Sequence, residues 1–202
     1  MNLDIQLAWC RHWVREQLGL KPGDSIVLLI HDSRGSIPRW SKRHRETIQA
    51  LTTELRWQFS HPLCVLLSVV EPSEQLAKLQ ESTLLGIVDE QITVHDASDL
   101  CGWIGAASTL FFLDSGHEPK GSAQVTFQEC LRDVSDQFKK PWNLIPLESP
   151  YQASMELDWE RLHQARESQT KKTPGTVGGF NSAVDLLERC LGRTFQQVRQ
   201  AG

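Results

Sequence analysis

What this sequence lacks narrows it quickly. No apolar run exceeds five residues; the longest, 26–30 and 63–67, fall far short of the roughly twenty that a membrane-spanning helix needs. The amino terminus carries Asp4 and Arg11 and no apolar h-region, so no export or anchoring signal is expected there. Cysteine is sparse and odd in number, five residues at 10, 64, 101, 130 and 190 without a CxxC or CxH spacing. Reduced thiols and a cytoplasmic location are expected, rather than a disulfide framework or a zinc site. An excess of positive charge is also missing: 21 Lys and Arg stand against 25 Asp and Glu, a net charge of −4. No whole-molecule field for nucleic acid or membrane results, and any anion binding must be local. GxGxxG, GxxxxGK[ST] and GxSxG are all absent, which removes the easiest dinucleotide, P-loop and hydrolase readings. No assembled nucleophile and base can be read, so catalytic residues stay unassigned.

What is present is enough for a core. The chain has 202 residues, 40 % of them apolar, and a chain of that size closes a core without staples. Ile5, Trp9 and Trp13, with the adjacent row Cys10, Val14 and Leu18, recur at helical steps and predict a helix over 3–18 that stops at Gly19. The run 26–30 is short, branched and continuous, the mark of a strand buried on both faces. A helical stripe through Ile48, Leu51, Leu55 and Phe59 follows, and then a second buried run over 63–70. The alternation persists: a short helix through Leu76 and Leu79, a strand over 91–95, a helix over 100–107, a strand over 109–113, a helix over 125–138 and a strand over 142–147. Strands alternating with helices imply a mostly parallel sheet between helix layers, because parallel neighbours need a crossover that returns across a face. The expected architecture is α/β, a Rossmann-like open sheet over residues 1–150. Beyond it a helical extension over 151–202 is expected, with stripes through Met155, Trp159 and Leu162 and through Val184, Leu187, Leu191, Phe195 and Val198. Between those stripes 167–179 is rich in glycine, lysine and threonine and poor in apolar residues, and reads as a mobile linker or lid. Of the seven tryptophans, Trp9, Trp13, Trp57, Trp103 and Trp159 fall on apolar stripes and are expected in the core, whereas Trp40 does not.

Ligands of an open parallel sheet collect at the carboxyl ends of its strands. Two segments there are unusually polar. After the first strand, Arg34, Arg39, Lys42, Arg43 and Arg45 crowd into twelve residues, with Gly35 allowing close backbone approach and Ser41 placed to cap the next helix, whose start favours an anion. A solvated, charged helix start has the same composition, and so does a nucleic-acid contact by loop 34–45 with Trp40 stacking on a base. After the fourth strand, Asp114, Ser115, Gly116 and His117 converge. They suit a ribose, phosphate or metal contact, and equally a turn built for conformational reasons. Asp32 and Asp114 each end a strand, where two carboxylates can share Mg²⁺, although separate turn-capping roles are favoured over that cofactor. His12, His44, His61, His95 and His163 read as isolated.

The stretch from 26 to 121 resembles the second half of GT-B glycosyltransferases of the heptosyltransferase-like group. The likeness rests on Pro38-Arg39-Trp40 ahead of a helix, on Val70-Glu71-Pro72-Ser73-Glu74 after the second strand, and on Asp114-Ser115-Gly116 after the fourth. The resemblance implies Arg39 and Lys42 as phosphate contacts and Asp114, Ser115 and Gly116 as part of a nucleotide-donor cleft, with a further domain needed for an acceptor. Asp32-Ser33-Arg34-Gly35-Ser36-Ile37 and 112–119 are also similar to the metal-site loops of von Willebrand A domains, with Arg34 in place of the first liganding serine. That likeness implies an adhesion or scaffold module.

The reading is therefore a binding domain for a phosphorylated or nucleotide-type small molecule at Arg34, Gly35, Arg39, Trp40, Lys42, Asp114, Ser115, Gly116 and His117, needing a partner for any catalysis. The alternative is a protein-interaction module docking through the helix over 3–18 or that over 181–199.

Overall fold

The computed structural model describes residues 3–21, 24–34, 40–70, 84, 86–115, 123–148, 157, 159–170 and 180–200. The elements run α1 (Leu3–Leu18), β1 (Ile26–Asp32), α2 (Lys42–Gln58), β2 (Leu63–Val69), β3 (Glu90–Val94), α3 (Ala97–Ala106), β4 (Thr109–Asp114), α4 (Ala123–Gln137), β5 (Trp142–Pro146), α5 (Trp159–Thr170) and α6 (Phe180–Gln200). The five strands form one sheet in the order β3-β2-β1-β4-β5, and every neighbouring pair is parallel. The expected α/β, Rossmann-like open sheet is what the chain forms. The short helix expected near Leu76 lies outside the described residues.

Strand alternation divides the core in two. Even-numbered β1 residues Ile26, Leu28 and Ile30, with Val65, Leu67, Leu110 and Phe112, face a layer of α1, α3, α4 and α6. Odd-numbered Val27 and Leu29, with Cys64, Leu66, Phe111 and Leu113, face α2 and Leu162 of α5. Two faces buried along a single strand explain why β1, β2 and β4 carry continuous rather than alternating apolar runs. The carboxyl-terminal extension joins this scheme: Ala183, Leu187 and Leu191 of α6 enter the first cluster, and Leu157 and Leu162 enter the second. The segment expected as a linker begins inside α5, which runs to Thr170; residues 171–179 lie outside the described residues.

Local chemistry sets the element ends. Ser41 is the N-cap of α2, its Oγ accepting the His44 N–H at 3.1 Å, and Asp96 caps α3 through the Asp99 N–H at 2.8 Å. Gly19 closes α1 at φ 62°, a conformation that glycine adopts without penalty. At Gly105 an added Cβ would stand 3.0 Å from Leu7 Cδ2 and 3.4 Å from Cys10 Cβ, so glycine lets α1 and α3 approach closely. Asp89 ties the entry to β3 onto both neighbours, accepting from the Cys64 N–H at 2.8 Å and from Arg56 at 3.1 Å.

Two sequence expectations are corrected. Cys130 of α4 and Cys190 of α6 form a disulfide, leaving Cys10, Cys64 and Cys101 as buried free cysteines. Cys130 and Cys190 sit on apolar helical stripes that pack together, a long-range match that an odd cysteine count hides. The tryptophans also exchange places. Trp57 is 86 % exposed and Trp9 69 %, whereas Trp40 is only 7 % exposed. On α1 the buried row is Leu7, Cys10 and Val14, not the one through Ile5 and Trp9. Trp57 lies two residues beyond buried Leu55, which turns it about 200° around the helix axis at 3.6 residues per turn.

Lys140, just before β5, is buried and donates to the Ala107 carbonyl at 2.6 Å. Desolvation, reinforced by Arg11 and opposed by Cys10, pushes its ammonium down to about 7. From pH 7 towards the ordinary lysine value the unfolded chain holds a proton that the native state has shed, so this residue makes stability rise with pH across that window. Below pH 7 its cost is complete. Replacing Lys140 by Met removes that cost, set against the lost hydrogen bond, and is expected to stabilise the fold at pH 7 by roughly 3 kcal/mol. The advantage should shrink as pH approaches 10. Urea unfolding of both proteins at pH 7 and 10 checks this, and an advantage independent of pH would contradict it.

Candidate functional site

The strand order places a topological switch at β1 and β4. From β1 the chain builds outward through β2 to β3, then returns past β1 to lay down β4 and β5 on its other side. The helix after β1, α2, packs on one face of the sheet, while the helix after β4, α4, packs on the other. The two connections diverge at the carboxyl edge, where ligands of such sheets bind. In the register His31↔Leu113 the ends of the two strands lie side by side. Asp32, Arg34, Asp114 and Ser115 are therefore on one edge, together with Trp40 and Lys42 at the start of α2. Gly35, Arg39, Gly116 and His117 lie outside the described residues. The backbone of Asp114 is held in turn by β5, the Leu147 N–H donating to its carbonyl at 2.7 Å.

On the α4 face the edge is organised by one ion pair. Arg34 grips the Asp32 carboxylate bidentately, Nε to Oδ1 and Nη2 to Oδ2 both at 2.9 Å, while the Arg34 N–H also donates to Oδ1 at 3.2 Å. Its guanidinium carbon lies 4.3 Å from the centre of the Phe127 ring, so the side chain reaches from the end of β1 to α4. The Arg34 side chain is buried and that of Asp32 nearly so. Such a planar fork matches a carboxylate in geometry and charge, and stacking on an aromatic face adds to it. Arg34, expected among the ligand-binding residues, is thus already engaged with Asp32. A divalent ion shared between Asp32 and Asp114 would have to compete with that guanidinium. Among the described residues no three His, Cys, Asp or Glu side chains gather into a metal site.

On the α2 face the edge is lined by two buried imidazoles with Trp40 beside both. His31 Nδ1 shares a 2.8 Å hydrogen bond with Ser33 Oγ, and the His44 Nε2–H donates to Glu148 Oε1, also at 2.8 Å. The Trp40 ring centre lies 4.8 Å from that of His31 and 6.4 Å from that of His44. His44 was legible only as a lone histidine; its partner is 104 residues away, beyond β5. Trp40 belongs to the core cluster of α2, so it does not extend outward as a platform for a base. Lys42 does project, 91 % exposed with Glu46 3.7 Å away.

The geometry limits the chemistry. Ser33 with His31 makes a hydroxyl and imidazole pair, and Glu148 with His44 a carboxylate and imidazole pair. Burial pushes the Cys10 and Cys101 thiols up and carries Cys64 to about 12, with Asp89 adding to the last, so none of the free cysteines is an activated thiolate. Compared with protein families and with curated proteins, the chain matches none.

Removing one partner of a buried pair leaves the other charge uncompensated. Arg34→Ala is expected to destabilise the protein by about 3 kcal/mol, and Asp32→Ala/Arg34→Ala by clearly less than the two single changes added together. Equilibrium unfolding of the three variants measures the coupling; simple additivity would show that the pair does not act as a unit.

Proposed function

We propose that this chain is a Rossmann-like binding domain for a phosphorylated or nucleotide-type small molecule, held at the carboxyl edge between β1 and β4. Any catalysis would need a partner chain. The observation that supports this most is the topological switch at β1 and β4, with α2 and α4 starting on opposite faces of the sheet. In this reading Lys42 and Arg39 supply positive charge, and the first turn of α2, capped by Ser41, supplies backbone N–H groups to a phosphate. Asp114 and Ser115 offer an acceptor and a hydroxyl to a ribose or sugar. Arg34 acts indirectly, by fixing Asp32 and the end of β1. Gly35, Gly116 and His117 complete the proposed site. A cytoplasmic setting suits the three free thiols, and there the Cys130–Cys190 bond is the feature exposed to reduction.

A second reading, a metal-free interaction module of von Willebrand A type, is favoured by the Asp32–Arg34 pair, in which a guanidinium stands beside a strand-end carboxylate. Its docking surface would be α1, which leaves Ile5 and Trp9 outside, rather than α6, whose apolar stripe as far as Leu191 is used in the core. No described helix is long and apolar enough to cross a membrane. Nucleic-acid contact through loop 34–45 is the weakest reading, since Trp40 faces inward.

Thermal shift against nucleoside mono- and diphosphates, nucleotide sugars and Mg²⁺ tests the proposal. A ligand at about a hundred times its Kd adds about 2.7 kcal/mol, which raises Tm by roughly 5–10 °C for a chain of this size. A phosphorylated ligand is expected to give that rise, and Arg39→Ala/Lys42→Ala to abolish it without lowering the Tm of the free protein. Stabilisation by Mg²⁺ alone, or a double variant that responds like its parent, would overturn the proposal.

A further inference from the structure

β3 is the outermost strand on its side of the sheet, and a groove of about 420 Å³ runs beside it. All five residues of Glu90–Val94 line this groove. Successive side chains of a strand point to opposite faces, so five in a row border one cavity only if it follows the open edge of the strand. The backbone agrees. The Val94 carbonyl accepts the Val70 N–H at 2.9 Å and so points inward to β2. By alternation Ile92 and Glu90 also direct their backbone groups inward, and Gln91 and Thr93 direct N–H and C=O outward along the groove.

The opposite wall is made by α1 and α3. Trp13 and Trp103 meet there edge to face at 6.1 Å, and Leu18 adds apolar surface. The charges of the groove are acidic, Glu90 and Asp99, and no lysine or arginine is among its described lining residues. Burial, with a hydrogen bond and repulsion from Asp96, raises the Asp99 carboxyl above its usual range, so a cation nearby would relieve an existing electrostatic cost.

We propose that this groove receives an extended, basic segment of a partner polypeptide, which adds to β3 as a further parallel or antiparallel strand. Outward N–H and C=O groups of Gln91 and Thr93 would supply the ladder. Lysine or arginine side chains would lay their stems along the groove, one setting its charge beside Asp99 and another, further along β3, beside Glu90. This site is separate from the carboxyl edge of β1 and β4 and does not depend on the ligand bound there.

The test uses the full chain and a fluorescent, end-capped seven-residue peptide alternating valine and arginine. Two controls accompany it, one with glutamate in place of arginine and one N-methylated at alternate residues to remove ladder donors. The basic peptide is expected to bind at least tenfold more tightly than either control and to slow amide exchange at Gln91 and Thr93 at least tenfold. Glu90→Gln/Asp99→Asn should weaken it about tenfold. The proposal fails if the basic peptide does not bind, if the acidic or N-methylated peptide binds as well, or if binding leaves those two amides unprotected. It fails equally if both amides are already protected in the free protein, for then the chain covers its own edge. The peptide controls on the parent protein keep the test decisive even if the double variant does not fold.

Discussion

The rest of the molecule depends on β1 being held between β2 and β4 with both of its faces buried. Ile26, Val27, Leu28, Leu29 and Ile30 are each almost wholly removed from water, and a buried aliphatic side chain of this kind contributes roughly 1.5–3 kcal/mol. Successive residues feed different cores, so one strand anchors α2 on one side and α1, α3, α4 and α6 on the other. A polar residue in the middle of this run would disturb both layers. At its carboxyl end the constraint relaxes, and His31, Asp32, Ser33 and Arg34 bring polar chemistry to the edge of an otherwise dry sheet.

The same alternation sorts that chemistry. His31 continues the odd row and meets Trp40 on the α2 face, whereas Arg34, paired with Asp32, reaches the Phe127 ring on the α4 face. Among the described residues the edge therefore carries the Asp32–Arg34 pair towards one face and the His31–Ser33 and His44–Glu148 pairs towards the other. Buried polar groups that are paired in this way rigidify their surroundings. In the proposed reading this frame is preformed, and a ligand would be met by the exposed rim, Lys42 above all. Among the described strands β3 is the outermost on its side, and it gives the sheet a second, differently charged border.

The strands and helices were legible because burial on two faces leaves continuous apolar runs and burial on one leaves a helical stripe. The helix over 3–18 and the buried runs at 26, 63 and 109 needed no tertiary information. That the loops after β1 and β4 share an edge was also legible, since parallel strands in one sheet put their carboxyl ends together. The pairings within the site were not. Arg34 with Phe127 and His44 with Glu148 join residues about a hundred positions apart, and nothing in the local spacing of either residue marks the other. Trp40 misled for a related reason: it precedes α2, outside any periodic stripe, yet folds back onto the core between two histidines. Cys130 and Cys190 were masked by their own apolar helices.

The central claim is that β4 lies beside β1 in parallel register, because only that arrangement puts Asp32 and Asp114 on one edge with α2 and α4 diverging from it. Nuclear Overhauser contacts between the backbone amides of the two strands measure it directly. The account predicts cross-strand contacts that advance together, Leu28 with Leu110, Leu29 with Phe111 and Ile30 with Phe112, while Leu28 keeps its contact with Val65 on the other side. Contacts that run in opposite directions along the two strands, or none between them, would contradict it.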